Sequence, residues 1–248
     1  PSSSKEVDQT TEETIEIPYK SPHNYVGLLT KPTDNHTFDS IIDTLSASKY
    51  KTLLTVDAPI YLQTQREFWK NANLEKQDGK VVGINSLIQG KAFQITPQSI
   101  SEVFKLDDLK GKTSFDKTEL KADFLKRGYA EQSKVDTLQK GYFPSAPRFL
   151  FHTLLSCVSN KTTAFNEIPL KIQCLGYAIL NNKDYNYSQE IFNDMVKNVD
   201  SKSFLLFPRF LSYYFKQKFE KEDENLPKQG VHFQIKGLTN ETFSRMMA

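Results

Sequence analysis

The sequence is poor in the residue types on which many functional sites depend. Its 248 residues include 2 cysteines, 4 histidines and 10 glycines. It contains no Cys-x-x-Cys pair, no Gly-x-Gly-x-x-Gly and no glycine–lysine phosphate loop, so the local signals of zinc knuckles, dinucleotide-binding folds and P-loop enzymes are missing. No two histidines have the i, i+3 or i, i+4 spacing at which a helix presents a pair of metal ligands. We therefore expect no metal, no cofactor and no enzymatic activity.

Both cysteines fall within apolar helical patterns, Cys157 in one helix and Cys174 in another. These patterns favour buried free thiols, which are common in proteins. A disulfide is the alternative, but residues 1–4 carry no charged-then-apolar signal that would direct the chain to an oxidising compartment. We expect free cysteines in an intracellular protein, either cytoplasmic or nuclear.

Neither an excess of one charge nor a long apolar run is present. The 32 basic and 30 acidic residues leave a formal charge of +2, whereas a general nucleic-acid-binding protein needs a clear basic excess to neutralise phosphates. No apolar stretch approaches the roughly 20 residues that a membrane-spanning helix requires. The composition thus argues against a membrane protein, and it restricts nucleic-acid binding to a local basic patch.

Aromatic residues, by contrast, are abundant, with 18 Phe and 11 Tyr beside a single Trp. Together with 38% hydrophobic and 25% charged residues, they indicate a globular protein with an ample core. The surplus of large rings also allows some of them to lie at the surface, where aromatic residues are typical of protein interfaces.

The order of the predicted elements indicates an α+β fold that is mainly α. Residues 1–20 are polar and lean acidic, which predicts a flexible lead. Residues 21–130 predict N-terminal helices and a β-hairpin. Residues 131–248 predict a C-terminal helical bundle that ends in a strand–helix unit. We expect 21–248 to form one compact unit.

Apolar spacing and capping residues predict where the helices lie. Positions 38, 41, 42 and 45 follow the i, i+3, i+4, i+7 rule of a helix with one apolar face. Several other helices are predicted from a capping residue followed by proline, or from a capping box. Their starts are Asp57-Ala58-Pro59, Thr96-Pro97, Asp116 with Glu119, Ser145-Ala146-Pro147, Asn166, and Asn186 with Gln189, before a last helix that contains Phe207, Phe210, Leu211 and Tyr214.

Two extended segments, Lys80–Ile84 and Ala92–Ile95, predict a hairpin joined through Gln89-Gly90. A similar extended segment, Phe233–Ile235, begins the predicted terminal strand–helix unit.

The strongest signal for binding is a mixture of basic and aromatic residues in the last predicted helix. Aromatic and arginine side chains can stack on nucleotide bases, and lysines can follow the phosphate backbone. The candidate nucleic-acid contacts are therefore Arg209, Tyr213, Lys216 and Lys218. The alternative is an amphipathic core helix with a basic outer face.

His152 and Cys157 are the residues that most suggest a nucleophile with its base. Their separation of five positions places them about 140° apart around a helix, so they do not face each other. We expect His152 to be a packed, hydrogen-bonded residue.

An ordered series of short blocks resembles a family of accessory proteins encoded by copia-type LTR retrotransposons of daisy-family plants. The blocks run in order from residue 23 to about residue 215, and the order rather than any single block is what is specific. A more distant similarity is to the plant mobile domain, which shares a hairpin, a short capped helix with an end like Leu106-Asp107, and a following bundle. The matching blocks are His23–Pro32, Ala58–Tyr61, Gln65–Trp69, Phe93–Thr96, Arg148–Leu154, Asn186–Ser188 with Ile191-Phe192, and Phe207–Leu211.

The resemblance implies no catalytic residue. We therefore expect a non-enzymatic binding or assembly module that acts through protein–protein interaction or self-association. The alternatives are an accessory protein that binds nucleic acid through the basic-aromatic helix, and an enzyme whose site is assembled from residues far apart in the sequence.

Overall fold

The structure, a computed structural model, describes residues 16–20, 24–33, 36–130 and 137–219, apart from the side chain of Phe219. Helices make up about half of this part of the chain, and three short strands form one antiparallel sheet. The predicted class, α+β and mainly α, is confirmed. The elements are α1 (Asp39–Ala47), α2 (Lys51–Thr55), α3 (Leu62–Asn71), β1 (Asn73–Gln77), β2 (Lys80–Ile88), β3 (Lys91–Ile95), α4 (Pro97–Phe104), α5 (Lys117–Lys126), α6 (Ser145–Cys157), α7 (Leu170–Leu180), α8 (Tyr187–Ser201) and α9 (Pro208–Phe219), with single 3-10 turns at His36–Phe38 and Lys140–Tyr142.

The helix predicted from Asp57-Ala58-Pro59 begins later, at Leu62. Residues 57–61 are not helical, and Ala58 and Ile60 are both buried there. In a helix these two side chains would point about 200° apart, whereas in an extended chain alternate residues share one face. Burial of both residues therefore favours the extended segment over an early helix start.

The sheet has the order β1-β2-β3, and it contains the predicted hairpin. Gln89 and Gly90 both have positive φ, +52° and +76°, as the tight turn between two antiparallel strands requires. Strand β1 is not predicted from the sequence, because its residues are mostly polar and show no apolar alternation. The Asp78-Gly79 turn that joins β1 to β2 has the same positive φ values and was the available signal.

Capping confirms most of the other predicted helix starts. The Thr96 hydroxyl accepts a hydrogen bond from the Ser99 amide, and the Ser99 hydroxyl accepts one from the Thr96 amide. Pro97 then begins α4. Asp116 caps α5 by accepting hydrogen bonds from two backbone amides. The Glu119 side chain binds Tyr177 and Lys183 instead of completing the predicted capping box. Asn186 caps α8 through the Gln189 amide at 3.0 Å.

Asn166 was predicted to open a helix, but α7 begins only at Leu170. The backbone carbonyl of Asn166 accepts from the Lys140 amide, and its side chain binds Gly141 and Gln139. These contacts hold Asn166 against the 3-10 turn at Lys140–Tyr142, so it is not available as a cap. Pro169, directly before the first turn, precedes the helix instead.

One continuous hydrophobic core joins the elements before and after residue 130. Phe38 packs on Phe149 with ring centroids 5.4 Å apart, and Phe104 packs on Phe210 at 5.1 Å. Residues 16–20, at the end of the predicted lead, also contact this body, since Pro18 accepts a hydrogen bond from the Leu205 amide. The rest of that lead and the predicted terminal strand–helix unit lie outside the described residues.

Most of the described aromatic side chains pack within this core. None of the described Phe, Tyr or Trp side chains is exposed, and the exposed large hydrophobic residues are all leucines. Several aromatic side chains, such as those of Tyr25, Tyr142 and Tyr213, are partly exposed, and a surface role for them stays a prediction. Both cysteines are buried and free, as predicted. Within the described ranges, no helix has the length and apolar composition needed to cross a bilayer.

Gly176 sets the distance between α6 and α7. A β-carbon at this position would lie 2.5 Å from Cε1 of Phe151. The Phe151 ring is fully buried and packs on Phe124 and Phe143, so it has no room to move aside.

We predict that Gly176→Ala lowers the free energy of unfolding by about 1–3 kcal/mol, because overpacking strains the core. In an unobstructed helix interior the same change would stabilise the protein by roughly 0.5–1 kcal/mol, so the sign of the effect is informative. Urea unfolding measures it, and Phe151→Leu is the background for the control. In that background Gly176→Ala should lose its penalty; an equal loss of stability in both backgrounds would contradict the proposed clash.

Candidate functional site

Helix α9 carries the predicted basic-aromatic residues, and its aromatic side chains face the core. Phe210, Tyr214 and Phe215 are each at most 3% exposed. Phe215 packs against Phe68 of α3 and Phe93 of β3, with ring centroids 5.6 and 5.1 Å apart. The alternative interpretation, an amphipathic core helix, is confirmed for α9.

Arg209 is fully buried, and its guanidinium group binds backbone carbonyl groups from three parts of the chain. Nε donates to the Asn24 carbonyl at 3.1 Å, and Nη1 donates to the Val56 carbonyl at 2.7 Å. Nη2 donates to the carbonyls of Leu53 and Cys157 at 2.7 and 2.8 Å. The side chain therefore ties α9 to the segment at Asn24 and to the C-terminal ends of α2 and α6.

The charge of Arg209 is stabilised mainly by dipoles. The last turn of a helix leaves carbonyl groups without intrahelical partners and carries partial negative charge. Two such ends, those of α2 and α6, converge on the guanidinium group. Burial lowers the pKa of Arg209 to about 10, with the neighbouring Cys157 and Asp57 acting in the opposite direction. The group therefore remains a cation at neutral pH.

Asn24 completes this buried network. Its side-chain oxygen accepts from the Arg209 amide at 2.9 Å, and its side-chain nitrogen donates to the Cys157 carbonyl at 2.9 Å. Asn24 itself has a positive φ of +61°, a conformation that asparagine tolerates better than most residues. One asparagine and one arginine thus satisfy a set of backbone groups that come from four segments.

The predicted nucleic-acid interface is consequently wrong in its central residue, because a fully buried Arg209 cannot stack on a base. Tyr213 is half-buried against Phe104, with ring centroids 5.6 Å apart. Lys216 and Lys218 are exposed, and Lys218 lies over the Tyr214 ring at 5.9 Å. The structure leaves two of the four predicted residues, both lysines, as surface groups.

The outer face of the sheet brings together polar side chains that the sequence analysis did not select. Asn85 lies opposite Gln94 across β2 and β3, and Asn73 lies opposite Asn85 across β1 and β2, so the three amides form one cross-strand row. Glu75 Oε2 accepts hydrogen bonds from Asn85 Nδ2 at 3.1 Å and from Gln94 Nε2 at 2.6 Å. These residues come from three different strands, and it is the register of the strands that brings them together.

Gly83 of β2 lies directly beneath the Glu75 carboxylate and the Gln94 amide. A β-carbon at Gly83 would lie 3.1 Å from Glu75 Oε2 and 3.4 Å from Gln94 Nε2, so the absence of a side chain lets the carboxylate and the amide lie across the strand. Next to the amide row, the exposed side chains of Leu87 and Ala92 lie opposite each other.

A shallow depression of about 340 Å³ follows this part of the sheet. We call the lining residues whose side chains lie on the outer side of the sheet, together with Glu75, the outer sheet face. It consists of Asn73, Glu75, Asn85, Leu87, Ala92 and Gln94.

A second cluster joins α5 to the end of α7. Glu119 Oε1 accepts hydrogen bonds from the Tyr177 hydroxyl and from Lys183 Nζ, and Lys183 Nζ lies 2.7 Å from the Tyr177 oxygen. The hydrogen bond from Lys183, followed by that from Tyr177, lowers the pKa of Glu119. The bond to Glu119 raises the pKa of both Lys183 and Tyr177. Each group is thereby held in its ordinary charge state, which makes the cluster a tie between helices instead of an acid–base pair.

His152 is packed and hydrogen-bonded, as predicted, and its partner is Lys140. Lys140 Nζ lies 2.8 Å from His152 Nδ1. Burial, followed by the charge of Lys140, lowers the pKa of His152 to about 4. Burial, followed by the charge of Arg148, lowers the pKa of Lys140 to about 8. The imidazole is therefore neutral at pH 7 and accepts a hydrogen bond from the lysine. Cys157 takes no part, since it lies against Gly27 and Arg209.

No family model matches the chain, and no match to it was found among curated proteins or solved structures. The resemblance to retrotransposon accessory proteins therefore stays a prediction. Among the residues that the structure describes, no three His, Cys, Asp or Glu side chains converge as metal ligands would.

We predict that Arg209→Met lowers the free energy of unfolding by roughly 3 kcal/mol or more, because several buried carbonyl groups lose their hydrogen bonds. Lys218→Met, on the exposed side of the same helix, is the matched control and should change stability by no more than about 0.5 kcal/mol. Chemical denaturation measures both variants. Equal effects of the two substitutions would refute the structural role of Arg209.

We also predict a pH dependence of stability that arises from His152. Its pKa is lower in the folded protein, about 4, than the ordinary value of 6.5. As the pH falls, the unfolded chain therefore protonates His152 before the folded protein does. The contribution of His152 to the free energy of unfolding is fully present above about pH 6.5 and is lost as the pH drops toward 4. The contribution is on the order of 2 kcal/mol after allowance for partial solvent exposure.

Substitution His152→Gln should flatten this part of the stability–pH curve. His36→Gln is the control, since the His36 side chain is 82% exposed. Unfolding measured at a series of pH values between 4 and 7 gives the slopes. If both variants keep the slope of the unmodified protein, His152 is not its source.

Proposed function

We propose that the protein is a non-enzymatic binding module that associates with a second copy of itself through the outer sheet face. The observation that carries this proposal is the cross-strand row of the exposed Asn73 and Gln94 and the half-buried Asn85, beside the exposed Leu87–Ala92 pair. The inner face of the sheet packs on α3, where Ser86 donates to the Phe68 carbonyl at 2.8 Å, so only the outer face is available to a partner.

A second copy is the partner that the chemistry of this face favours. A two-fold symmetric interface must be complementary to itself. Side-chain amides satisfy this condition because each carries both a donor and an acceptor. The Leu87–Ala92 pair supplies apolar surface that is buried equally well against its own copy.

A binding role is also supported by the shape of the face and by the charge states elsewhere. The depression is shallow and open, whereas small-molecule sites are usually concave clefts that enclose most of the ligand. The Glu119–Tyr177–Lys183 cluster resembles an acid–base site in composition, but the hydrogen bond to Glu119 raises the pKa of Tyr177 and so opposes the action of Tyr177 as a base.

The origin and location of the protein belong to the same proposal. We propose that it derives from the plant retrotransposon family that its sequence blocks resemble, and that it acts inside the cell. The two buried free thiols support an intracellular location, because such thiols persist most readily in a reducing compartment.

Size-exclusion chromatography with light scattering tests self-association. The chain has a mass of 28.5 kDa, and we expect the measured mass to rise toward twice this value as concentration increases. Leu87→Lys should keep the protein monomeric, because it places two like charges at the centre of the interface. Circular dichroism establishes that the variant remains folded.

Leu125→Lys is the matched control. Leu125 is 41% exposed on α5 and Leu87 is 50% exposed on the sheet, so the two substitutions add the same charge to similar surroundings at different places. Leu125→Lys should leave association unchanged. A monomer at every concentration for the unmodified chain, or equal loss of association in both variants, would overturn the proposal.

A further inference from the structure

We propose that Lys140 is a site of covalent modification, at which its side-chain amine reacts with a small, negatively charged aldehyde to form an imine. The proposal rests on the contact between Lys140 and His152 and on the position of Arg148 beside them. It does not depend on the proposed self-association, because none of these residues belongs to the outer sheet face.

The amine is held in one place. Lys140 opens the 3-10 turn Lys140–Tyr142, and its backbone amide donates to the Asn166 carbonyl at 2.8 Å. The Gly141 amide donates to Asn166 Oδ1 at 3.1 Å, which fixes the turn a second time. Across from this turn, α6 presents His152, whose Nδ1 lies 2.8 Å from the lysine nitrogen. Lysine side chains on a protein surface are usually mobile, so this restraint is a distinguishing feature of Lys140.

The surroundings favour an anionic reactant. Arg148, one turn before His152 on α6, donates through Nε to the Phe143 carbonyl at 3.1 Å and through Nη2 to the Gly141 carbonyl at 3.3 Å. Its guanidinium group is thereby held over the turn that carries Lys140. The two cations repel each other, and the charge of Arg148 adds to burial in lowering the pKa of Lys140. A phosphate or carboxylate on the reactant relieves this repulsion.

The chemistry requires a neutral amine and nothing besides the aldehyde. Lys140 first loses its third proton to solvent, and its lone pair then attacks the carbonyl carbon to form a carbinolamine. Loss of water leaves a carbon–nitrogen double bond: the carbonyl oxygen departs with the two remaining protons of the amine. His152, neutral throughout, is a positioning residue that accepts a hydrogen bond from the amine.

Pyridoxal 5′-phosphate is a suitable probe because it is both an aldehyde and a phosphate. The full chain is treated with less than one equivalent at pH 7.5, reduced with borohydride, digested and mapped by mass spectrometry. We expect the label on Lys140 to exceed that on the exposed Lys80 by at least roughly ten-fold. The neutral fraction of an amine at this pH rises about two-hundred-fold when its pKa falls from the ordinary lysine value to about 8. Labelling of Lys140 no greater than that of Lys80 would overturn the proposal.

The pH profile and three variants test the roles of the neighbours. Labelling of Lys140 should reach half of its maximum near pH 8. His152→Asn preserves an acceptor near the position of Nδ1 and should keep most of the reactivity, while His152→Leu should lower it about ten-fold. Equal rates in these two variants would remove His152 from the proposal. Lys140→Arg should abolish the label at this position.

Arg148→Gln tests the preference for an anion. The unmodified protein should react faster with pyridoxal 5′-phosphate than with pyridoxal, which lacks the phosphate, and in Arg148→Gln this ratio should fall toward one. Circular dichroism shows that each variant is folded before its labelling is compared. A ratio near one in the unmodified protein would overturn the preference for a charged reactant.

Discussion

The buried guanidinium group of Arg209 is the interaction on which the rest of the fold depends. Four backbone carbonyl groups, from Asn24, Leu53, Val56 and Cys157, surround it. Two of the segments involved end helices, so their partial negative charges stabilise a cation whose hydrogen-bond partners, within the described part of the chain, include no carboxylate. An aliphatic side chain could fill the space but would leave these carbonyls unsatisfied in the core, which is why a strongly polar residue is stable at the centre of an apolar helix packing.

The position of Arg209 also fixes where the aromatic residues go. With its polar end directed inward, α9 presents Phe210, Tyr214 and Phe215 to the core, and these rings pack on α3, β3 and α4. Phe68 and Phe93 complete this layer from the other side. These rings thus fill the space between α9, α3 and the inner face of the sheet, and the outer face is left with amides, a carboxylate and Leu87.

The two proposals rest on two features of the surface that differ in kind. The outer sheet face is shallow and carries side-chain amides, each with a donor and an acceptor, and the proposed self-association rests on it. The Lys140–His152 pair is small and electrostatically unusual, since two groups that are normally basic lie in contact at 2.8 Å. This contact is stable because burial keeps the imidazole neutral, so it accepts a hydrogen bond from the lysine instead of repelling it. Both features consist of ordinary surface residue types whose properties arise from what surrounds them.

The sequence by itself determined the class of fold, the hairpin and most helix starts. These features depend on near neighbours: the turn Gln89-Gly90, the cap Thr96 before Pro97, and the cap Asn186 act within a few residues of where they stand. Strand β1 is not predictable from an apolar pattern, because its residues are mostly polar. The predicted starts of α3 and α7 are too early, because the burial of Ala58 and Ile60 and the contacts of Asn166 depend on the tertiary structure. Only the tertiary structure decided that Arg209 is buried. A basic residue beside aromatic ones has the same local pattern whether it faces solvent or the core. The outer sheet face and the Lys140–His152 pair were decided in the same way, by strand register and by the approach of a turn to a helix, neither of which a local pattern specifies.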